Sequence, residues 1–192
     1  MTIELPRTNF TVLYDASVLY PAPLRDLLMW VAIKGLVRAK WTDEIQGEWL
    51  RNLLEQRPDL EEPRLRRTRQ LMDRALPDAR VTGYEALIEG LELPDPDDRH
   101  VLAAAIRAGA QVVVTENVRH FPAVTLSQYG IEAQRPDAFL LGLIDTDQRL
   151  FVEAVRAQLA TLTNPEKTKD ELLETLRQNG LVQTVAVLRP IL

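Results

Sequence analysis

The residues best suited to chemistry in this sequence are carboxylates set at the ends of apolar runs. Asp15 stands directly after FTVLY (10–14). Asp95, Asp97 and Asp98 crowd the start of DPDDRHVLAAA (95–105), just before the chain turns almost wholly apolar. Thr115, Glu116 and Asn117 follow QVVV (111–114), and Glu48 lies in EIQGEWLRNLL. Clustered carboxylates repel one another; unpaired, they raise their own pKa values or need a cation. Oxygen ligands with no cysteine and only two histidines suit a hard ion such as Mg²⁺ or Mn²⁺. Such an ion keeps several waters, positions a phosphate, stabilises an oxyanion and helps generate a hydroxide nucleophile. The chemistry this points to is attack on a phosphodiester.

Each residue also has a plainer reading. Asp98 could be a helix N-cap and Asp97 a first-turn partner of the helix dipole. Asp15, a carboxylate at the end of a buried strand, could form a structural salt bridge with Arg25. Glu48 carries little signal alone, since most helix glutamates are solvated. Its case rests on lying beside the inward stripe of Ile45, Trp49 and Asn52 or Leu53, with Glu44 as the alternative one turn earlier. His120 in NVRHFP could shuttle a proton, but it also fits a turn. His100, inside a helix start, is read as structural. The basic run PRLRRTRQ (63–70) is the one candidate patch for a polyanion, although such runs are usually solvated faces. Trp30, Trp41 and Trp49 are read as core rather than as a base-stacking platform.

The elements that must position these groups alternate. FTVLY reads as a buried strand, LRDLLMWVAIKG as a helix closed by Gly35, and LVRAKW (36–41) as a second strand. Thr42 is the expected N-cap of DEIQGEWLRNLLEQ, which stops before Pro58. Residues 61–76 predict a third helix, basic on one side. ARVTGY (79–84) is read as a third strand, 98–108 as a helix ended by Gly109, QVVVT (111–115) as the clearest strand, and 131–133 as a last short one. This alternation argues for an α/β fold with a parallel sheet. Functional groups then gather outside the carboxyl ends of the strands, where Asp15, Asp98 and the Thr115–Asn117 turn should meet and Glu48 can reach in. Past Pro136 the pattern becomes helical, through AFLLGLID, LFVEAVRAQLATL, DELLETLRQNG and LVQTVAVLRPIL.

Bulk properties narrow the classes. The chain has 192 residues, 46% of them hydrophobic, a globular composition with room for a sizeable core. No apolar run approaches ~18 residues, so no membrane span is expected. MTIELPRTNF lacks the marks of a secretory signal. The absence of cysteine excludes disulfides and fits a reducing cytoplasm. A formal net charge of −5 makes a poor general nucleic-acid binder. A role on nucleic acid would need a local device, either a bound metal or a small basic patch.

Three blocks together resemble the PIN-domain nucleases: VLYDASVLYPAPLRDLL, WTDEIQGEWLRNL and DPDDRHVLAAAIRAGAQVVVTENVRHFP. The resemblance covers about residues 10–135. YGIEAQRPDAFLLGLID is similar to the start of the helical extension carried by one group of VapC-type toxins. The resemblance implies a PIN-like three-layer fold, with a five-stranded parallel sheet of order 3-2-1-4-5 between helices. It implies a nuclease domain over 1–135 and a C-terminal helical extension over 136–192. It places the family's acids at Asp15, Glu48 and Asp98, with Asp15 and Asp98 as metal ligands, and Asn117 where many members carry a fourth acid. That departure weakens a second metal site, for which Asp95 and Asp97 could compensate. Ser17 falls as the hydrogen-bonding neighbour of Asp15, and Ser17, Arg25 and Thr115 are expected to meet the substrate, Thr115 with Asn117 positioning water or phosphate and Arg25 contacting the RNA backbone. The implied activity is a Mg²⁺- or Mn²⁺-dependent endoribonuclease toxin, acting on RNA in the cytoplasm, inhibited by a cognate antitoxin and forming a homodimer.

Rival classes are separable. A non-enzymatic PIN-like protein-binding module would keep the fold and acids without activity. A receiver-like phospho-acceptor domain wants a lysine after a later strand, which QVVVTEN lacks. A haloacid-dehalogenase-like phosphatase wants a second aspartate two residues after the first, where this chain has Ser17.

Overall fold

The computed structural model describes residues 10–192; the expectation about a secretory signal falls mainly on residues 1–9 and lies outside the described residues. At its centre is β1 (Thr11–Tyr14), buried along its whole length because strands flank it on both sides. The order is β2–β1–β3–β4, all parallel, with β2 at Arg38–Lys40, β3 at Val112–Val114 and β4 at Glu132–Gln134. Register pairs Leu13 with Lys40 on one side and with Val113 on the other. The inner strands are apolar on both faces, as helices cover both. The edge strands carry Arg38, Lys40, Glu132 and Gln134, polar groups that discourage further pairing.

Among the described residues the sheet therefore has four strands, not the five expected. Residues 79–84 do not form a strand. Pro77–Ala79 make a single 3₁₀ turn, Arg80 alone bridges Trp41, and Gly83 turns the chain away at φ 73°. The Trp41 N–H donates to the Ala79 carbonyl (3.0 Å) and the Val81 N–H to the Trp41 carbonyl (2.8 Å). One rung forms, and the chain then leaves the sheet.

The helices follow in order: α1 (Ala16–Leu19), α2 (Ala22–Ile33), α3 (Asp43–Gln56), α4 (Glu62–Ala75), α5 (Glu85–Ile88), α6 (Arg99–Ala108) and α7 (Ala123–Leu126). Thr42 caps α3 as expected; it is fully buried and accepts the Ile45 N–H at 3.0 Å. The inward stripe of α3 is Ile45, Gln46, Trp49, Leu50 and Leu53, so Leu53 rather than Asn52 faces the core. In α6, Val101 to Ala105 are all buried. The three alanines let this helix lie close against β1 and β3, and Gly109 ends it in the left-handed region at φ 63°.

The last four helices are α8 (Pro136–Thr146), α9 (Gln148–Thr161), α10 (Lys169–Gln178) and α11 (Val182–Leu188). They extend the same core. The Phe139 ring lies 6.4 Å from both Phe10 and Tyr14. α9 packs along α2, where Gln158 Nε2 donates to the Pro23 carbonyl at 3.0 Å. The Asp137 carboxylate accepts the N–H groups of Gln183 and Thr184, each at 2.9 Å, which ties the start of α11 to α8. No helix among the described residues is long and apolar enough to cross a membrane.

Candidate active site

Asp15 is the N-cap of α1, placed where β1 stops. Its Oδ1 accepts the Ala16 N–H (2.7 Å), and its Oδ2 accepts the hydroxyls of Ser17 and Thr115 (2.7 Å each). Those hydroxyls then accept from the turn after β3: Ser17 Oγ from the Glu116 N–H (3.1 Å) and Thr115 Oγ1 from the Asn117 N–H (3.0 Å). The ends of β1 and β3 are thereby joined through one carboxylate. Neutral donors hold Asp15 in place, and its remaining lone pairs stay available to a cation. The protons of Ser17 and Thr115 are committed to Asp15, so both residues orient the acid instead of presenting a free donor to phosphate.

Asp98 occupies the N-cap position of α6, yet its side chain caps nothing. Its Oδ2 lies 2.7 Å from His120 Nδ1. Asp95 caps the 3₁₀ turn Pro96–Asp98 that precedes α6, accepting the Asp97 N–H at 3.0 Å through Oδ1, while its Oδ2 lies 3.7 Å from the same imidazole nitrogen. Ligand atoms of Asp95, Asp98 and His120 lie within 4.8 Å of one another. Asp97 is exposed and outside this group. His120, which the sequence reading placed in a turn more readily than in catalysis, thus joins this group. The available signal was its place three residues after Asn117, on the loop leaving β3.

Glu48 comes from α3. Burial pushes its carboxyl up from 4.5 to about 7; the charges of Asp15 and Asp98 add to this, Arg51 opposes it, and Glu44 adds a little more. Asp98 is raised too, first by burial and then by Asp15 and Asp95, against the His120 hydrogen bond. Three carboxyls from three elements therefore share one electrostatic field, as the strand-end argument requires. No lysine or arginine forms an ion pair with Asp15, Glu48 or Asp98 among the described residues. Such an uncompensated oxygen set fits a hard divalent cation. His100 is buried between Glu48 (Nε2 to Oε2, 3.7 Å) and Glu44 (Nδ1 to Oε2, 3.6 Å), and walls this side of the crevice. Glu44 itself is exposed and accepts from the Tyr84 hydroxyl at 3.4 Å.

Two expected residues sit elsewhere. Arg25 is buried, with Nη1 donating to the carbonyls of Leu19 (2.6 Å) and Tyr20 (3.4 Å) and its guanidinium 4.4 Å from the Trp49 ring centre. No ion pair joins it to Asp15 among the described residues; it fixes α3 against α1 and α2. Asn117 is exposed at the rim, and its backbone, not its amide, makes the Thr115 contact. Of the tryptophans, Trp41 and Trp49 are fully buried in the core, and Trp30 is partly buried against it.

Comparison with known proteins agrees with this geometry. A family model described as "PIN domain" matches residues 11–119, and one described as "VapC50 C-terminal domain" matches residues 136–190. A protein of Mycobacterium tuberculosis named "Putative ribonuclease VapC50" is 38% identical over 94 residues, which is 49% of this chain and 55% of that protein. The chain thus spans about half the length of the curated relative it matches. No solved structure matches. With its acids at the ends of β1 and before α6, and with more than half its length matched, the chain belongs to the PIN-domain family and carries a C-terminal extension of the VapC50 type.

Proposed function

We propose that this protein is a Mg²⁺- or Mn²⁺-dependent endoribonuclease, the toxin of a toxin–antitoxin pair. The observation that carries the reading is the convergence of Asp15, Glu48 and Asp98 from three elements, where burial and then the charges of Asp15 and Asp98 raise the Glu48 carboxyl, with no lysine or arginine ion-paired to them among the described residues. Asp15 and Asp98 would hold the ion, with Glu48 beside them and Asp95 and His120 flanking Asp98. When bound, the cation supplies Lewis acidity toward a phosphate oxygen and makes water a better nucleophile at neutral pH. Ser17 and Thr115 hold the Asp15 carboxylate in place. His120, on Asp98, fixes that carboxylate's rotamer. Asn117, at the rim, is placed to hold water or a phosphate oxygen through its free amide.

The same reading takes residues 1–135 as the nuclease domain and 136–192 as a helical extension sharing its core. The resemblance alone carries a cognate antitoxin, a homodimer and a cytoplasmic setting. A second reading, a catalytically weak PIN-like protein-binding module, is favoured by one feature: an amide, Asn117, where many relatives carry the fourth acid.

Calorimetric titration with Mn²⁺ and Mg²⁺, wild type beside Asp98→Asn, with cleavage of a structured RNA scored in parallel, separates them. Binding and cleavage that are both lost in the variant support the nuclease. Metal binding without cleavage of any RNA tried favours the binding module. A wild type that binds neither ion ends the nuclease reading.

A further inference from the structure

The active-site reading leaves α4 unused. This helix holds five arginines against Glu62 and Asp73, in a chain whose formal net charge is −5. It buries only Leu65 and Met72, so most of its surface is displayed. Arg66 pairs with Glu62 and Arg69 with Asp43. Arg64, Arg67 and Arg74 are exposed and form no ion pair among the described residues. Arg67, Leu71 and Arg74 follow the three- and four-residue spacing of one helix face, and Leu71 is 52% exposed between the two arginines. With Pro63, Arg66 and Gln70 they line a shallow recess of about 460 Å³.

The helix is also tied to the element that carries Glu48, through Arg69 on the side opposite that face. Arg69 and Arg80 both pair with Asp43, the first residue of α3, and α3 carries Glu48. A polyanion meets repulsion over most of an acidic protein, so apart from a metal at the crevice, an exposed cluster of unpaired arginines is where its backbone would be held. We propose that the exposed face of α4 is a docking track for the backbone of single-stranded RNA, with Arg67 and Arg74 on phosphates and Arg64 extending the track. This rests on the ribonuclease reading and adds to it where the substrate is held. Arginine suits the role because its planar fork binds phosphate oxygens bidentately and its flat face stacks on unpaired bases. Arg67 and Arg74 lie about 10 Å apart along the helix axis, so they reach different phosphates. Leu71 between them offers an apolar seat for a base.

The test uses the full chain and a short labelled single-stranded RNA of mixed sequence in EDTA, where no cleavage occurs. Dissociation constants are measured over a salt series for wild type and Arg67→Gln/Arg74→Gln, with thermal unfolding as a check on folding. Each phosphate contact on a single strand contributes about −0.7 to the slope of log K against log salt. Wild type should show a slope near −2 with three contacts, and the double variant one near −0.7, with weaker binding at every salt concentration. The variant should also raise KM for metal-dependent cleavage while leaving kcat nearly unchanged. Equal slopes and affinities overturn the track; cleavage by wild type would then leave the nuclease reading standing. Wild type that neither binds nor cleaves RNA overturns both. Polyglutamate bound in place of RNA, and lost in the variant, overturns the track in favour of an acidic protein partner.

Discussion

Substituting Glu48 by glutamine should make the metal-free protein more stable above pH ~7 while disabling it. The carboxyl sits at about 7 in the folded state against an ordinary 4.5. Between those values the folded state keeps a proton that the unfolded chain has lost, so it binds more protons. Stability then falls as pH rises through that window: Glu48's favourable contribution is complete below 4.5 and gone above about 7. For a fully enclosed group the difference corresponds to ~3 kcal/mol, at ~1.4 kcal/mol per tenfold change in proton binding. The Glu48 side chain is 37% exposed, so solvent screening lowers this to ~1–2 kcal/mol. Glutamine keeps the shape and removes the charge that opposes Asp15 and Asp98. Urea unfolding in EDTA at a series of pH values should show the Glu48→Gln variant ahead of wild type by ~1–2 kcal/mol above pH ~7, with a shallower slope below it. The slope should not vanish, because Asp98 is displaced in the same direction. Saturating Mn²⁺ should reverse the ranking, since a ligand at about 100 times its Kd adds ~2.7 kcal/mol to the state that binds it. A variant no more stable than wild type in EDTA, or one with an unchanged pH slope, would refute the idea that these carboxyls share one field.

The same site supports three further expectations. Asp98→Asn should change folding stability by less than about 1 kcal/mol by urea titration, because its side chain caps no helix N–H, yet abolish cleavage. Thr42→Ala, which removes the buried hydroxyl that holds the Ile45 N–H, should cost about 1–2 kcal/mol in the same assay and lower activity by loosening α3 under Glu48. His120→Gln should weaken divalent-ion binding by about 10–100-fold on calorimetry, as loss of a group that orients a ligand does. The loss should be larger for Mn²⁺ than for Mg²⁺ if the imidazole itself ligates.

The local chemistry of particular residues explains what could be read in advance. Thr42 before an acidic first turn, and Gly109 after a run of alanines, mark helix ends through hydrogen bonds and backbone freedom that involve only near neighbours. Val112–Val114 and Thr11–Tyr14 are buried at every position and apolar at all but Thr11, which a doubly covered strand requires. ARVTGY has similar strand composition, but whether it pairs depends on how far the chain stays alongside Trp41, and Gly83 takes it away after one rung. Arg25 illustrates the same gap in the site: its sequence neighbourhood allowed a salt bridge or a phosphate contact, and only the packing of Trp49 beneath its guanidinium removes it from both.

By itself the sequence determined the alternation of strands and helices, the helix ends, and three acids at positions that a parallel sheet must draw to one edge. These follow from periodicity, capping and the topology of parallel strands, all of which act over short stretches or by rule. Tertiary structure alone decided where each side chain points. Asp98 turns from its own helix to His120, Ser17 and Thr115 spend their protons on Asp15, and Glu48 is half-buried beside Asp15 and Asp98 while Glu44 stays exposed. Those choices depend on distances between residues far apart in the chain and on the burial that accompanies them. Electrostatic coupling of that kind is set by packing and has no local signature in the sequence.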